Sequence, residues 1–193
     1  VLKYPKEDCV QVKNLKYQEE MDYIVSHEKR NRFIRNLVKK QTGNTLVLFQ
    51  YVEKHGKILH QMIGDTIKPK TRKLFFVYGG TDTKDRETVR SITENESNAI
   101  IVASYGTFST GINIRNLHNI VFASPSKSKI RNLQSIGRGL RLGGNKDTAT
   151  LFDIADDFSY KTYKNFTMNH FMERINIYSE QDFDYEIHNV DLI

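Results

Sequence analysis

Apolar and polar positions along the chain fall into two textures. Up to about residue 41 the sequence is rich in charge and its apolar residues keep helical spacing. Tyr17–Ser26 and Lys29–Lys40 each predict a helix, the second carrying Phe33, Ile34, Leu37 and Val38 on one stripe. Thr42-Gly43-Asn44 then breaks the pattern, as a Gly-Asn pair does at a helix end. From Thr45 onward, short continuous apolar runs alternate with amphipathic stretches. The runs are Thr45–Phe49, Lys73–Tyr78, Ala99–Ser104, Asn119–Ala123 and Thr148–Ile154. Between and after them come helical patterns through Val52, Leu59, Met62 and Ile63, near Lys84–Asn95, near Ser128–Leu142 and over Asn165–Glu180. Strands that are apolar on both faces and separated by helices predict a doubly wound α/β domain, a parallel sheet with helices on both sides. Ligands of such sheets gather at the carboxyl ends of the strands.

Composition narrows the class. The chain has 193 residues, enough for one domain with a sizeable core. Its apolar runs are far shorter than the ~18–20 residues of a membrane span, and Val1-Leu-Lys-Tyr-Pro5 has no apolar signal core. A single cysteine, Cys9, excludes an internal disulfide and a multi-cysteine zinc site. The six histidines show no ligand pair at helical spacing, His55 and His60 being five apart. These features fit a soluble, cytoplasmic domain. The formal net charge of +6 is uneven. Before residue 180 there are 29 Lys and Arg against 18 acids, a balance of +11, and the remaining residues hold five acids and no Lys or Arg. A basic body suits an anionic partner such as nucleic acid, although a solvated basic surface gives the same count.

Two segments carry candidate chemistry. In Gln134-Ser-Ile-Gly137-Arg138-Gly-Leu-Arg141, positions 134, 138 and 141 share one helical face, opposite a stripe of Ile130, Leu133, Ile136 and Leu140. Two guanidinium forks and an amide pointing together suit a polyanion. The alternative is a basic face pairing with Asp147, Asp156 or Asp157. The second segment is Ala103-Ser-Tyr-Gly106-Thr-Phe-Ser-Thr-Gly111-Ile-Asn113, directly after an apolar run. Its hydroxyls and glycines can bring N–H and O–H donors close to phosphate oxygens, or simply form a turn. Lys68, Lys70, Arg72 and Lys73 are candidates for tracking phosphates, as are Lys127, Lys129 and Arg131. Phe75 and Phe76, at strand spacing, read as core.

In chain order these words resemble the motifs of superfamily 2 helicases. Leu46-Val-Leu-Phe-Gln50-Tyr51 looks like motif IV, Ser104 through Asn113 like motif V, and Gln134 through Arg141 like motif VI. Tyr78-Gly79-Gly80 followed by Arg86 resembles the family's short glycine turn before a helix. The longest words are similar to those of phage helicases that remodel branched DNA and RNA–DNA hybrids in recombination, repair and replication. The resemblance implies a RecA-like fold and a division of roles. Arg138 and Arg141 would be arginine fingers toward the γ-phosphate of ATP, with Gln134 beside them and Gly111 and Asn113 on the nucleotide side. Asn113 stands where many relatives carry Asp. Gln50, Tyr51, Ser104, Tyr105 and Thr107 would face the nucleic acid.

The sequence has no Gly-x-x-x-x-Gly-Lys-Ser/Thr loop; Gly143-Gly-Asn-Lys146 reads as a turn. Asp153-Ile-Ala-Asp156-Asp157 ends a strand and reads as a polar strand end or a domain contact. The expectation is therefore the second RecA-like half of a motor, with ATP and Mg²⁺ held mainly by an N-terminal half and this chain inactive alone. Its division is a helical lead-in over 1–41, a motor domain over 42–160, and a helix with an acidic tail over 161–193. A non-enzymatic nucleic-acid-binding or annealing module on the same fold is the other reading. A dinucleotide-binding enzyme lacks its glycine fingerprint.

Overall fold

The structure, a computed structural model, describes residues 1–68, 70–79, 83–108, 116–125 and 149–192. Its central sheet has five parallel strands: β2 (Thr45–Phe49), β3 (Leu74–Val77), β4 (Ile100–Ser104), β5 (Asn119–Phe122) and β6 (Thr150–Asp153), in the order β3-β4-β2-β5-β6. Each expected strand is present, β2 with the expected bounds and the other four one or two residues shorter at one or both ends. The residues along β2 alternate between two cores. Val47 and Phe49, with Ile100, Val102 and Val121, pack beneath Ile34, Val38, Leu59 and Ile63 of α3 (Glu28–Lys40) and α4 (Lys57–Gly64). Leu46 and Leu48, with Ile101, Ala103, Ile120 and Phe122, pack against Val89 of α5 (Thr83–Asn95) and Tyr178 of α7 (Phe166–Glu180). Burial on both faces is why these strands read as unbroken apolar runs.

Register aligns the carboxyl ends. Phe49 pairs with Ser104, Leu48 with Phe122, and Phe122 with Asp153. Turns leaving β2, β4 and β5 therefore open on one edge of the sheet. At the opposite edge, Asn44 accepts the Ala99 N–H (2.9 Å) and donates to the carbonyls of Glu96 and Asn116. The buried Arg72 donates there to the carbonyls of Val38, Gln41 and Gly43 and to the Thr45 hydroxyl. This corrects the expectation that Arg72 tracks phosphates: its donors bind the lead-in to β2. Lys73 pairs with Glu96, and Phe76 stacks on Phe49 at 5.6 Å, as core spacing predicted.

The turn after β2 departs from the expected α-helix. Val52–Gly56 forms one π-helical turn, with the Gly56 N–H bonded to the Tyr51 carbonyl at 2.9 Å, before α4 begins. Gly56 lies so close over Phe49 that a Cβ there would sit 2.6 Å from the ring. The wider turn also carries His55 inward, where it is fully buried.

The lead-in holds more than its two expected helices, α2 (Tyr17–Ser26) and α3. It adds β1 (Leu2–Lys3) and α1 (Lys6–Val12). β1 is the middle strand of a small parallel sheet, between β7 (Asp156–Asp157) and β8 (Val190–Asp191). The buried carboxylate of Glu20 on α2 caps α7: it accepts the N–H groups of Phe166 (3.0 Å) and Thr167 (2.8 Å), the Thr167 hydroxyl and the Asn165 amide. A carboxylate at a helix N-terminus satisfies donors that lack an intrahelical partner. The first and last segments of the chain are thus joined directly. Among the described residues no helix is long and apolar enough to cross a membrane.

Candidate nucleic-acid and nucleotide interface

At the carboxyl edge of the sheet, three strand ends meet around Ser124. Its Oγ accepts the Gln50 N–H (3.0 Å) and lies 2.7 Å from His55 Nδ1, while its carbonyl accepts the Tyr105 hydroxyl at 2.8 Å. His55 Nε2 lies 3.1 Å from Asn31 Oδ1, and the Asn31 amide donates to the Val25 carbonyl. The donors order themselves. Asn31 turns its amide nitrogen to Val25, so its Oδ1 accepts from Nε2, and in a neutral imidazole Nδ1 then accepts the Ser124 hydroxyl. His55 then carries its proton on Nε2, facing Asn31. One buried chain of hydrogen bonds therefore joins the lead-in helix α3, the turn after β2 and the end of β5. Ser124→Ala is expected to remove the hydroxyl that bonds both His55 Nδ1 and the Gln50 N–H. The domain should lose about 1–3 kcal/mol in a urea unfolding titration, and amide exchange at Gln50 should accelerate.

Of the five residues expected to face nucleic acid, two stand on the outside. The Gln50 side chain is exposed. Tyr51 is half-buried; its hydroxyl accepts from Gln18 Nε2 (2.9 Å) and Lys54 Nζ lies 6.0 Å from its ring centre. The other three are corrected. Tyr105 is buried in the core against Phe122, 5.8 Å between rings, and burial pushes its phenol pKa far up. Ser104 and Thr107 are buried and share a hydrogen bond at 3.0 Å across the short helix α6 (Tyr105–Phe108). From Ser104 to Thr107 Gly106 alone is partly exposed, and the Ser104 and Thr107 hydroxyls close the turn from within.

Gly111, Asn113, Gln134, Arg138 and Arg141 lie outside the described residues, as do Gly80, the Arg86 side chain, the expected helix near 128–142, and Lys127, Lys129 and Arg131. The residues next to them are well held. Asn116 donates to the Thr93 carbonyl at 2.7 Å, and Ser124 and Pro125 lead from β5 into residues 126–148.

Of the acids that would neutralise a merely basic helix face, Asp147 lies outside the described residues, and Asp156 and Asp157 already have partners. Asp156 is fully buried and receives Arg30 through Nε (2.7 Å) and Nη2 (3.0 Å), together with the Tyr4 hydroxyl (2.7 Å). Asp157 pairs with Lys3; burial works against its ionised form, but the Lys3 and Ser159 donors more than offset this and its carboxyl pKa is lowered. Asp153 receives Arg174 at 2.7 and 2.9 Å and the Tyr178 hydroxyl at 2.8 Å. These three acids are strand-end anchors, as the polar strand-end reading expects. Among the described residues no group of three or more His, Cys, Asp and Glu side chains is placed to hold a metal ion. A cavity of about 610 Å³ lies beside β6, lined by apolar side chains such as Phe33, Phe171 and Ile175; the candidate residues are not among its walls.

Sequence reasoning missed Glu20, Arg30, His55 and Ser124. Arg30 is one of six basic residues of one helix, and only its inward direction separates it from the others. His55 had a legible sign, a polar residue at an inward position one turn after a buried strand.

Comparison with known proteins places these features. The family described as Helicase conserved C-terminal domain matches residues 28–143. The chain is 38% identical to the ATP-dependent DNA helicase UvsW of Enterobacteria phage T4, over 99% of its own length and 40% of that protein. It therefore spans well under half of that relative. The crystal structure of T4 UvsW superposes on all of this chain and 40% of its own, with a TM-score of 0.83 and 37% identity. The C-terminal domain of S. cerevisiae Dbp5 matches with a TM-score of 0.52 and 15% identity, covering 84% of this chain and 83% of its own. That likeness concerns the fold, a RecA-like sheet with helices on both sides.

Proposed function

This chain belongs to the family of helicase conserved C-terminal domains, and from that premise we propose that it is the second motor domain of an ATP-dependent DNA helicase. Its substrates are branched or forked DNA and RNA–DNA hybrids, remodelled during recombination, repair and replication in the host cytoplasm. The reading rests above all on one observation. The turns after β2, β4 and β5 leave the same edge of the sheet, and two of the acids weighed as partners of a basic helix face, Asp156 and Asp157, are already bound by Arg30 and Lys3. We read Arg138 and Arg141 as ligands of an anion from outside the domain.

In this reading ATP and Mg²⁺ are held mainly by an N-terminal RecA-like domain, and they supply the phosphoryl group and the charge that activates it. From this chain, Gly111 and Asn113 border the nucleotide. Arg138 and Arg141 reach across the cleft to place rigid donors where negative charge develops, with Gln134 beside them. Their engagement draws the two domains together, and loss of that contact lets them part. Gln50 and Tyr51, tied to Ser124 and Gln18, move with the domain and carry the displacement to the DNA.

The test is a hydrolysis assay of this chain alone and of the chain joined to its N-terminal ATP-binding domain. The chain alone is expected to show no turnover above background, and the joined protein DNA-stimulated turnover. Robust hydrolysis by the chain alone would overturn the assignment.

A further inference from the structure

We propose that Tyr17, Phe166 and Tyr51 form a base-stacking platform for a single strand of DNA, extending the interface from the turn after β2 onto α2 and α7. The proposal rests on the nucleic-acid reading of Gln50 and Tyr51 given above. Tyr17 opens α2 and Phe166 opens α7, and both rings are exposed, 37% and 41%. They meet edge to face at 6.1 Å, and Tyr17 also contacts the His170 ring at 5.5 Å. Rings of this size are normally used to fill a core. Here the two helix starts that carry them are locked side by side instead. Glu20, one turn along α2 from Tyr17, holds the N–H groups of Phe166 and Thr167. The neighbouring Gln18 donates to the Tyr51 hydroxyl, which fixes the third ring to the same helix.

The charges suit a phosphate backbone. Lys16 and Lys164 are exposed and directly precede Tyr17 and Asn165-Phe166, whereas Lys54, 6.0 Å from the Tyr51 ring centre, is paired with Asp22. Glu19 accepts the Lys16 N–H (2.7 Å), Asp22 pairs with Lys54 (3.0 Å), and Glu20 is the buried cap of α7. Lysines interleaved with exposed, rigidly held aromatic rings are the composition by which proteins bind single strands without sequence preference. Every base has a face to stack, and the cations follow the phosphates. A duplex keeps its bases stacked on each other and offers these rings nothing to stack on, so the platform discriminates for the strand that a helicase separates.

Fluorescence titration of this chain with a single-stranded oligonucleotide carrying 2-aminopurine, and with a duplex of the same sequence, tests the proposal. Tyr17→Ala and Phe166→Ala are each expected to weaken single-strand binding about 5- to 150-fold, the range for one lost stacking contact. Duplex binding should change less than about twofold, and Tyr17→Phe should bind as the parent does. Phe166→Leu keeps the apolar volume but removes the ring face. It should therefore also weaken single-strand binding, with melting temperature followed in parallel as a check on folding. Unchanged single-strand affinity in Tyr17→Ala and Phe166→Leu, or an equal loss on the duplex, overturns the platform. So does a parent chain that binds no single strand, whereas the motor assignment is decided separately by the hydrolysis assay on the joined protein.

Discussion

Arg138→Ala in the protein joined to its ATP-binding domain is expected to reduce DNA-stimulated ATP hydrolysis by roughly 10³- to 10⁵-fold, the range for loss of an arginine finger. The size follows from where the charge is used. Phosphoryl transfer spreads negative charge over oxygens in a cleft with little water, where a guanidinium already in place stabilises the transition state far more than the bound ground state. ATP affinity, read by equilibrium binding of a fluorescent nucleotide, should therefore change much less than turnover. Arg138→Lys is expected to recover little, because an ammonium keeps the charge but not the fork. The same measurement separates the two readings of the family resemblance. A nucleic-acid-annealing module would keep its annealing rate in Arg138→Ala, and the joined protein would show no DNA-stimulated turnover to lose.

The largest effect on stability is expected at a pair far from that helix in sequence. Asp156→Asn should destabilise the domain by about 3–5 kcal/mol, because it leaves the Arg30 guanidinium buried without a counter-charge. Both side chains are fully buried, joined by two hydrogen bonds, with the Tyr4 hydroxyl as a third donor to the carboxylate. Burial alone would weaken the charged form of Arg30, yet Asp156 holds its pKa above the ordinary value. At roughly 2–4 °C per kcal/mol for a chain of this size, the melting temperature should fall by about 6–20 °C. Replacing the pair by apolar residues, Arg30→Met with Asp156→Leu and Tyr4→Phe, should recover much of that loss, since neither an unpaired charge nor an orphaned hydroxyl then remains. A melting temperature of Asp156→Asn within 2 °C of the parent would show that water reaches Arg30 in solution. The pair ties α3 of the lead-in to the strand that follows β6. Its loss should therefore also loosen the small sheet in which β1 lies between β7 and β8.

The central sheet was legible because its signals are local. Thr45–Phe49 and Ile100–Ser104 are buried on both faces, so each strand announces itself by an unbroken apolar run, and Gly43 marks the turn before the first of them. The two main lead-in helices were legible for a related reason, since one face of α3 must be apolar to cover Phe49 and Val47. The small sheet was not. Its strands are two residues long, and Leu2 finds its partners at Asp156 and Val190, too far along the chain for any periodicity to connect them. The π-turn at Val52–Gly56 was also hidden, because its cause is the fit of Gly56 over Phe49 and not the composition of the turn.

For the candidate site the boundary falls within single motifs. The sequence by itself determined the parallel sheet, its carboxyl edge and the order of the motifs that leave it, because burial pattern and spacing are properties of neighbours along the chain. Only the tertiary structure decided which side chains in those motifs face outward. Gln50 and Tyr51 do, while Ser104, Tyr105 and Thr107 turn into the core, and Arg72 binds carbonyls where phosphates were expected. A hydroxyl, a phenol or a guanidinium suits an external phosphate and an internal carbonyl equally well. The choice depends on which acceptor the fold brings within 3 Å, and residues such as Ser124 and Val38 become those acceptors only when distant segments pack.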